Sequence, residues 1–290
     1  MNPSVTGAVL AILFTGMIAA ADAITKLVAG SYEAPQLYAL AAALVALMSF
    51  GASKASAGES LRIKSVKPMI LRTILTIIAA LAFFQAFRHL PFADVFLFIG
   101  LIPLIAAALS GPILGEAPRP VAWLALTIGA CGVVFLMPGG LTGAQAGHVW
   151  ALVAAFSGAA SMLLARVIAK VERVPLAQVF WPNLGLAVVM ALALPFVWKP
   201  MAFMDMIWIV AYAGFLFGAR YVSAEAMRFL PAYVAMPVMN VQFVWMVAIG
   251  IYAFGEIPSF GTVMGVMLVI ASGLYLVAEE TIAKAGSQNA

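Results

Sequence analysis

The sequence predicts an all-α membrane protein of ten transmembrane helices arranged as two inverted five-helix repeats. Three observations predict it. The 290-residue chain is 65% hydrophobic and only 9% charged, with a mean hydropathy of +1.11, whereas a soluble domain is roughly half apolar and a quarter charged. Apolar runs follow one another along the chain, each near the roughly 20 residues needed to cross a bilayer. One stretch is also written twice. RHLPFADVFLFIGLIPLIAAALSGPILGEAP runs from Arg88 to Pro118, and RFLPAYVAMPVMNVQFVWMVAIGIYAFGEIP from Arg228 to Pro258, with Arg, Leu-Pro, Gly-Glu and the closing Pro at a constant offset of 140. A repeat of long period governs the whole fold.

Ten spans follow in order. They run over Val5–Val28, Ala34–Gly51, Pro68–Arg88, Phe92–Leu114, Pro120–Met137, Gly147–Ala169, Pro175–Trp198, Phe203–Met227, Ala232–Phe254 and Ser259–Ala278. They read as helices, because a barrel would show alternating segments of about ten residues. Most connections are short and carry Pro or Gly where a helix must stop. Ala52–Lys67 is a longer polar loop, and the polar tail Glu279–Ala290 is expected to fray. The opening MNPSVTG lacks the positive region of a cleaved signal peptide and is expected to lead straight into the first span. Cys131 stands alone, so no intramolecular disulfide is expected. The basic residues are scattered over short loops, which argues against a nucleic-acid partner.

Lys and Arg set the orientation. With the N-terminus in the cytoplasm, twelve lie on the inner side (Lys54, Arg62, Lys64, Lys67, Arg72, Arg119, Arg166, Lys170, Arg173, Arg220, Arg228 and Lys284) and three outside (Lys26, Arg88 and Lys199). N-in and C-in is therefore expected, in a bacterial inner (plasma) membrane. At the same offset of 140, Gly7 matches Gly147, Lys26 matches Arg166 and Pro35 matches Pro175. Residues 1–140 are thus the first five-helix repeat and 141–290 the second. Five is odd, so the second repeat enters the membrane from the opposite side. Such inverted repeats are typical of secondary transporters.

Ten spans in two halves, each with a Leu-Pro-bounded fourth helix ending in Gly-Glu before Pro, resemble the EamA family of the drug/metabolite transporter superfamily. The local marks are Asp22-Ala-x-x-Lys26, Arg72 opening span 3, Leu90-Pro91 with Asp94, Leu114-Gly115-Glu116 and Phe254-Gly255-Glu256. The resemblance covers nearly the whole chain. Many relatives carry an Arg in span 2, and Tyr38–Leu44 has none here, so an anion-binding role tied to that Arg does not transfer. The resemblance implies a substrate cavity near the midplane, lined mainly by spans 1, 3, 4, 6, 8 and 9.

Ionisable groups inside spans cost at least ~2.5–3.5 kcal/mol each, so each needs a reason. Asp22 lies in span 1, with Lys26 one helical turn away as its structural partner. Gln85 and Asp94 fall at similar depth in spans 3 and 4, and Asp94 also suits the helix N-terminus after Pro91. Glu225, the repeat partner of Gln85, and Arg220 lie in span 8, which by family analogy faces the cavity; Arg228 is close enough to pair with Glu225. In span 9, Asn240 is preferred over Gln242 for its central depth. Phe98, Trp181, Tyr221 and Trp245 are candidate aromatic walls, with packing against lipid the favoured alternative for any one of them. Glu116 and Glu256, on opposite membrane faces, read as structural acids, each complementing the helix opened by the next Pro. Pro103 and Pro237 mark spans 4 and 9 as candidate bending elements.

The function expected is secondary transport of a small organic metabolite by alternating access, coupled to protons through Asp22 and Glu225 or working by exchange. An uncoupled facilitator of the same fold is the alternative. A membrane-embedded enzyme is disfavoured, because no clustered His, Cys or carboxylates mark a reactive or metal centre. No cofactor is expected, and no nucleotide-binding signature is present. The expected partners are the small-molecule substrate and the lipid bilayer, with the chain a monomer or homodimer.

Overall fold

The computed structural model describes residues 3–55, 60–114, 145–229 and 242–258, with isolated positions among 124–127 and 260–271. Among the described residues the chain is all-helical. The helices are α1 (Pro3–Ala29), α2 (Ala34–Ala55), α3 (Val66–His89), α4 (Phe92–Leu114), α5 (Ala146–Val171), α6 (Pro175–Val197), α7 (Phe203–Phe229) and α8 (Gln242–Phe254). They reproduce spans 1–4 and 6–8 to within a few residues, and α8 is the second part of span 9. Spans 5 and 10 lie outside the described helices. Six helical stretches are long and apolar enough to cross a membrane: Ile12–Ala29, Ala34–Ala55, Val66–His89, Ala146–Val171, Pro175–Val197 and Phe203–Arg220.

Small residues face inward and large ones outward. On α5, Ala151, Ala154, Ala155 and Ala159 are buried, while Val149, Trp150, Leu152, Val153, Phe156 and Met162 are exposed. On α3, Met69, Arg72, Ala79, Ala82 and Ala86 form the buried stripe, and Ile70, Leu71, Ile74 and Ile78 are exposed. A soluble helix would do the reverse. In lipid, an exposed Leu costs nothing, and close packing of small side chains is what draws helices together.

The packing pairs are α3 on α5 and α6, α7 on α1 and α2, α4 on α5, α8 on α1, α2 on α6 and α4 on α8. Two apolar clusters follow. One joins α1, α3, α4, α5 and α8 around Phe87, Phe92, Phe96 and Met246. The other joins α1, α2, α3, α6 and α7 around Leu37, Phe84 and Ile209. α4 and α8 face one another, with the Phe96 and Phe243 rings 4.9 Å apart. Pro103 is passed within continuous α4, and Pro237 lies outside the described residues.

Among the described glycines, Gly185 has the least room for a side chain. A Cβ there would lie 2.4 Å from Thr73 Cγ2. Thr73 cannot swing away freely, because its hydroxyl donates to the Met69 carbonyl at 2.9 Å. Gly185→Ala is therefore expected to push α6 off α3 and destabilise the protein by about 1–3 kcal/mol, read as a lower apparent Tm in detergent. An unchanged Tm would show that the seam relaxes.

The bundle has two tied ends. At one, called here the Lys26 end, Arg88 donates to both oxygens of Glu33 at 2.8 Å, the Tyr32 hydroxyl donates to Asp205, and Gln36 bonds Lys199 through both amide atoms. At the other, the Glu172 end, Glu172 accepts from the backbone N–H groups of Lys64 and Ser65 ahead of α3. Those donors hold its carboxyl below the usual range. At the Lys26 end, the Arg88 guanidinium holds Glu33 below its ordinary value of 4.5. A depressed carboxyl stabilises the fold above its unfolded pKa, and that contribution is lost as pH falls through the lower folded value. Glu33→Gln is thus expected to lower the apparent Tm at neutral pH and to flatten its fall below pH 4.5. Parallel Tm–pH curves for the two proteins would contradict the pair's role.

Candidate functional site

The site is built around Asp22, seven residues before the end of α1. Its carboxylate accepts from Gln242 Nε2, in the first turn of α8, at 3.2 Å. Lys26 is not its partner. The Lys26 ammonium instead donates to the Leu90 carbonyl at 2.8 Å and pairs with Glu256 at 2.9 Å. The helical turn separating residues 22 and 26 leaves both on one side of α1, but Glu256 is the better-placed acid. Asp22 therefore faces a neutral amide and a group of hydroxyls.

Two tyrosines complete the cluster. Tyr38 of α2 and Tyr212 of α7 are buried, with rings 6.2 Å apart edge to face. Both feel the charge of Asp22, and both hydroxyls interact with Thr25, one turn beyond Asp22 on α1. The Tyr38 hydroxyl donates to the Ala80 carbonyl of α3 at 3.1 Å, and Thr25 donates to Ala21 at 3.2 Å. A carboxylate, an amide and three hydroxyls thus converge from α1, α2, α7 and α8. Such a group can hold a proton, an ammonium or a hydrogen-bonding solute. Asp22 is half-buried.

A second polar group lies toward the Glu172 end. Arg72, in the first turns of α3, donates from one terminal nitrogen to the Gln178 carbonyl at 2.6 Å. It is 8% exposed. Arg220 of α7 lies close enough to repel it. Arg220 is exposed.

The sequence-based candidates divide. Asp22 and Arg220 lie in these polar groups. Gln85 and Asp94 are half-buried on α3 and in the first turn of α4. The structure places three of the aromatic candidates. Phe98 is 2% exposed and packs 6.0 Å from the His148 ring of α5, because the alanines of α5 leave it room in the core. Trp181 is on the outside, where its indole N–H donates to the Leu61 carbonyl at 2.9 Å and ties down the loop before α3. Trp245 is also exposed and covers Gly16 of α1, 3.4 Å from where a Cβ would stand. The side chains of Tyr221, Glu225 and Arg228, and all of Asn240 and Glu116, lie outside the described residues.

Glu256 also acts at long range. Besides pairing with Lys26, it accepts the backbone N–H of Phe92 at 2.7 Å. It therefore caps α4, across the bundle. Gly255 makes this possible. Its φ of +64° is cheap only for glycine, and it turns the chain after α8 so that Glu256 reaches α4.

Sequence reasoning missed Gln242, which was ranked behind Asn240, and missed Tyr38, Tyr212, Thr25 and Arg72 as site residues. Span 2, absent from the cavity-lining helices that the resemblance implies, contributes Tyr38.

No family model matches the chain. Its similar proteins include the pseudopaline exporter CntI of Pseudomonas aeruginosa strain UCBPP-PA14, 22% identical over 284 residues, covering 93% of this chain and 95% of the exporter. The same exporter from strain PAO1 matches equally, at 22% over 93% of this chain. A solved crystal structure of a protein shares the fold, with TM-score 0.62 and 21% identity over 95% of this chain and 96% of the other. With its apolar helices, this distant likeness to an exporter marks an integral membrane protein of transporter type.

Proposed function

We propose that the chain is an EamA-like secondary transporter that exports a small amphoteric metabolite across the bacterial inner membrane, N-in and C-in, by alternating access. The observation that carries this reading is the cluster of Asp22, Thr25, Tyr38, Tyr212 and Gln242 at the seam of four helices. The likeness to an exporter over nearly the full length supports it.

Two halves, residues 1–140 and 141–290, would rock against each other as inverted repeats. The contacts support that register. Adding 140 to Tyr38 and Arg72 gives Gln178 and Tyr212. The Tyr38–Tyr212 contact thus corresponds to the Arg72–Gln178 contact. Likewise Tyr32 with Asp205 corresponds to Glu172 with Ser65, since 32 + 140 = 172 and 65 + 140 = 205. The helix pairs follow the same rule: α3 on α5 mirrors α7 on α1, and α3 on α6 mirrors α7 on α2.

Asp22 is proposed to bind the cationic part of the solute or a coupling proton, with Glu225 as a second proton carrier. The test is efflux of a panel of radiolabelled amino-acid-like solutes from proteoliposomes holding the purified chain. Export of at least one solute faster than from protein-free vesicles is expected. Flux equal to that of empty vesicles across the panel, with and without a pH gradient, would overturn the reading.

A further inference from the structure

We propose that the Glu172 end of the bundle holds an anionic phospholipid, with the headgroup phosphate among Arg62, Lys67 and Arg173 and an acyl chain along the outer face of α3. The proposal needs only that the chain sits in a bilayer, and it stands whatever solute the chain carries.

The two ends treat their cations differently. At the Lys26 end, Lys26 pairs with Glu256, Arg88 pairs with Glu33, and the Lys199 ammonium donates to the Ser31 carbonyl at 3.4 Å. At the Glu172 end, Arg62, Lys67 and Arg173 are exposed, and none of them forms a salt bridge among the described residues. Residues 62–67 and 166–173 together carry six cations and one acid, so the local surplus is positive. The acid is Glu172, and it turns both carboxylate oxygens onto the backbone N–H groups of Lys64 and Ser65, not onto a cationic side chain. Glu59 and the side chain of Glu225 lie outside the described residues.

The same hydrogen bonds fix where the cations stand. Glu172, which caps the C-terminus of α5, holds Lys64 and Ser65. Trp181, in the second turn of α6, holds the Leu61 carbonyl at 2.9 Å. Segment 61–65 is therefore fastened to both helices on which α3 packs most, and Arg173 stands in the turn between those two helices. The backbone is ordered before any anion arrives, so gripping one costs only side-chain freedom.

Lys67 also heads an apolar stripe. Ile70, Leu71, Ile74 and Ile78 follow it three, four, seven and eleven positions on, which is one face of a helix, and all four are exposed. From Lys67 to Ile78 the stripe covers about 16 Å of helix axis, close to half of a ~30 Å hydrocarbon core. That is the depth of one leaflet. Trp181, an exposed indole with its polar edge on Leu61, suits the membrane–water boundary at this level. A soluble anion would match the cations alone. The stripe beneath them matches a phosphate with a hydrocarbon chain, and basic surfaces at that boundary attract anionic headgroups.

The test is thermal unfolding of the purified full chain in a neutral detergent, titrated with dioleoylphosphatidylglycerol, dioleoylphosphatidylcholine or glycerol 3-phosphate. The two lipids share their chains and differ in headgroup charge; the third probe is a phosphate headgroup without chains. Phosphatidylglycerol is expected to raise the apparent Tm at a lower mole fraction than phosphatidylcholine, because a ligand that binds the folded state stabilises it. Glycerol 3-phosphate is expected to leave the Tm unchanged at the same concentrations. Arg62→Gln and Arg173→Gln are each expected to raise the half-effective amount of phosphatidylglycerol roughly 5-fold. Both replace exposed side chains, so the lipid-free Tm is expected to stay at the wild-type value. Lys199→Gln, at the opposite end, removes the same charge and is expected to leave the response unchanged. Equal responses of the wild type to the two lipids overturn the site. So does an undiminished preference for phosphatidylglycerol in the Arg62→Gln, Arg173→Gln double variant, or a loss in Lys199→Gln as large as in the single variants. A rise with glycerol 3-phosphate that matches phosphatidylglycerol overturns the lipid assignment.

Discussion

Replacing Glu256 with alanine is expected to destabilise the protein by about 2–4 kcal/mol, because one carboxylate ties the end of α8 to two other helices. It neutralises Lys26 of α1 at 2.9 Å and caps the Phe92 N–H of α4 at 2.7 Å. The side chains of Lys26 and Glu256 are 15% and 20% exposed, so water compensates little for a lost partner. Lys26 also lies over the Phe254 ring at 5.5 Å, and that contact alone is too weak to hold it. Glu256→Gln is expected to cost less, since the amide oxygen still accepts from Phe92 while the charge is lost. Lys26→Met combined with Glu256→Gln should cost less than the sum of the two single changes. Thermal unfolding in detergent reads all four proteins. An alanine variant as stable as the wild type would reduce Glu256 to a surface acid.

The second large effect is functional. Asp22→Asn is expected to abolish solute accumulation driven by a pH gradient while leaving the fold intact. A gradient of about one pH unit stores ~1.4 kcal/mol per proton and drives roughly tenfold accumulation. The asparagine variant should bring the solute only to equal concentrations on both sides. Gln242 Nε2, which donates to Asp22 at 3.2 Å, can donate equally to an asparagine oxygen, so the change removes charge and not shape. Accumulation by the variant equal to that of the wild type would remove Asp22 from proton coupling.

Much of the helical layout was legible in the sequence, because apolar length and Pro or Gly stops depend only on local composition. The Gly-Glu landmark was legible as a repeat mark but not in its role. Its meaning depends on Gly255 turning the chain toward a helix more than 160 positions back, which no local pattern reveals. Asp22 was legible from its cost inside a span. Its partner was not: Lys26, four residues away, is the local choice, but long-range packing gives Lys26 to Glu256 and leaves Asp22 with Gln242. Depth alone ranked Asn240 over Gln242, whereas Gln242 reaches Asp22 and Asn240 lies outside the described residues. Phe98, Trp181 and Trp245 illustrate the same limit. An aromatic ring in an apolar run suits core, cleft and lipid alike, and only neighbouring helices distinguish them. Tyr38 and Tyr212 were hidden because each is one polar atom on an apolar ring, 174 positions apart in sequence.

The proposal of alternating access is tested most directly by fastening one end. Tyr32→Cys and Asp205→Cys, made with Cys131→Ala so that no native thiol remains, replace the hydrogen-bonded pair that joins the α1–α2 loop to the start of α7. A short bis-methanethiosulfonate linker, which bridges two thiols through reducible disulfides, would hold the Lys26 end shut. If solute passes by opening the two ends in turn, flux through proteoliposomes should fall to that of empty vesicles on cross-linking and return with reductant. Undiminished flux with the cross-link complete would contradict passage between the two halves.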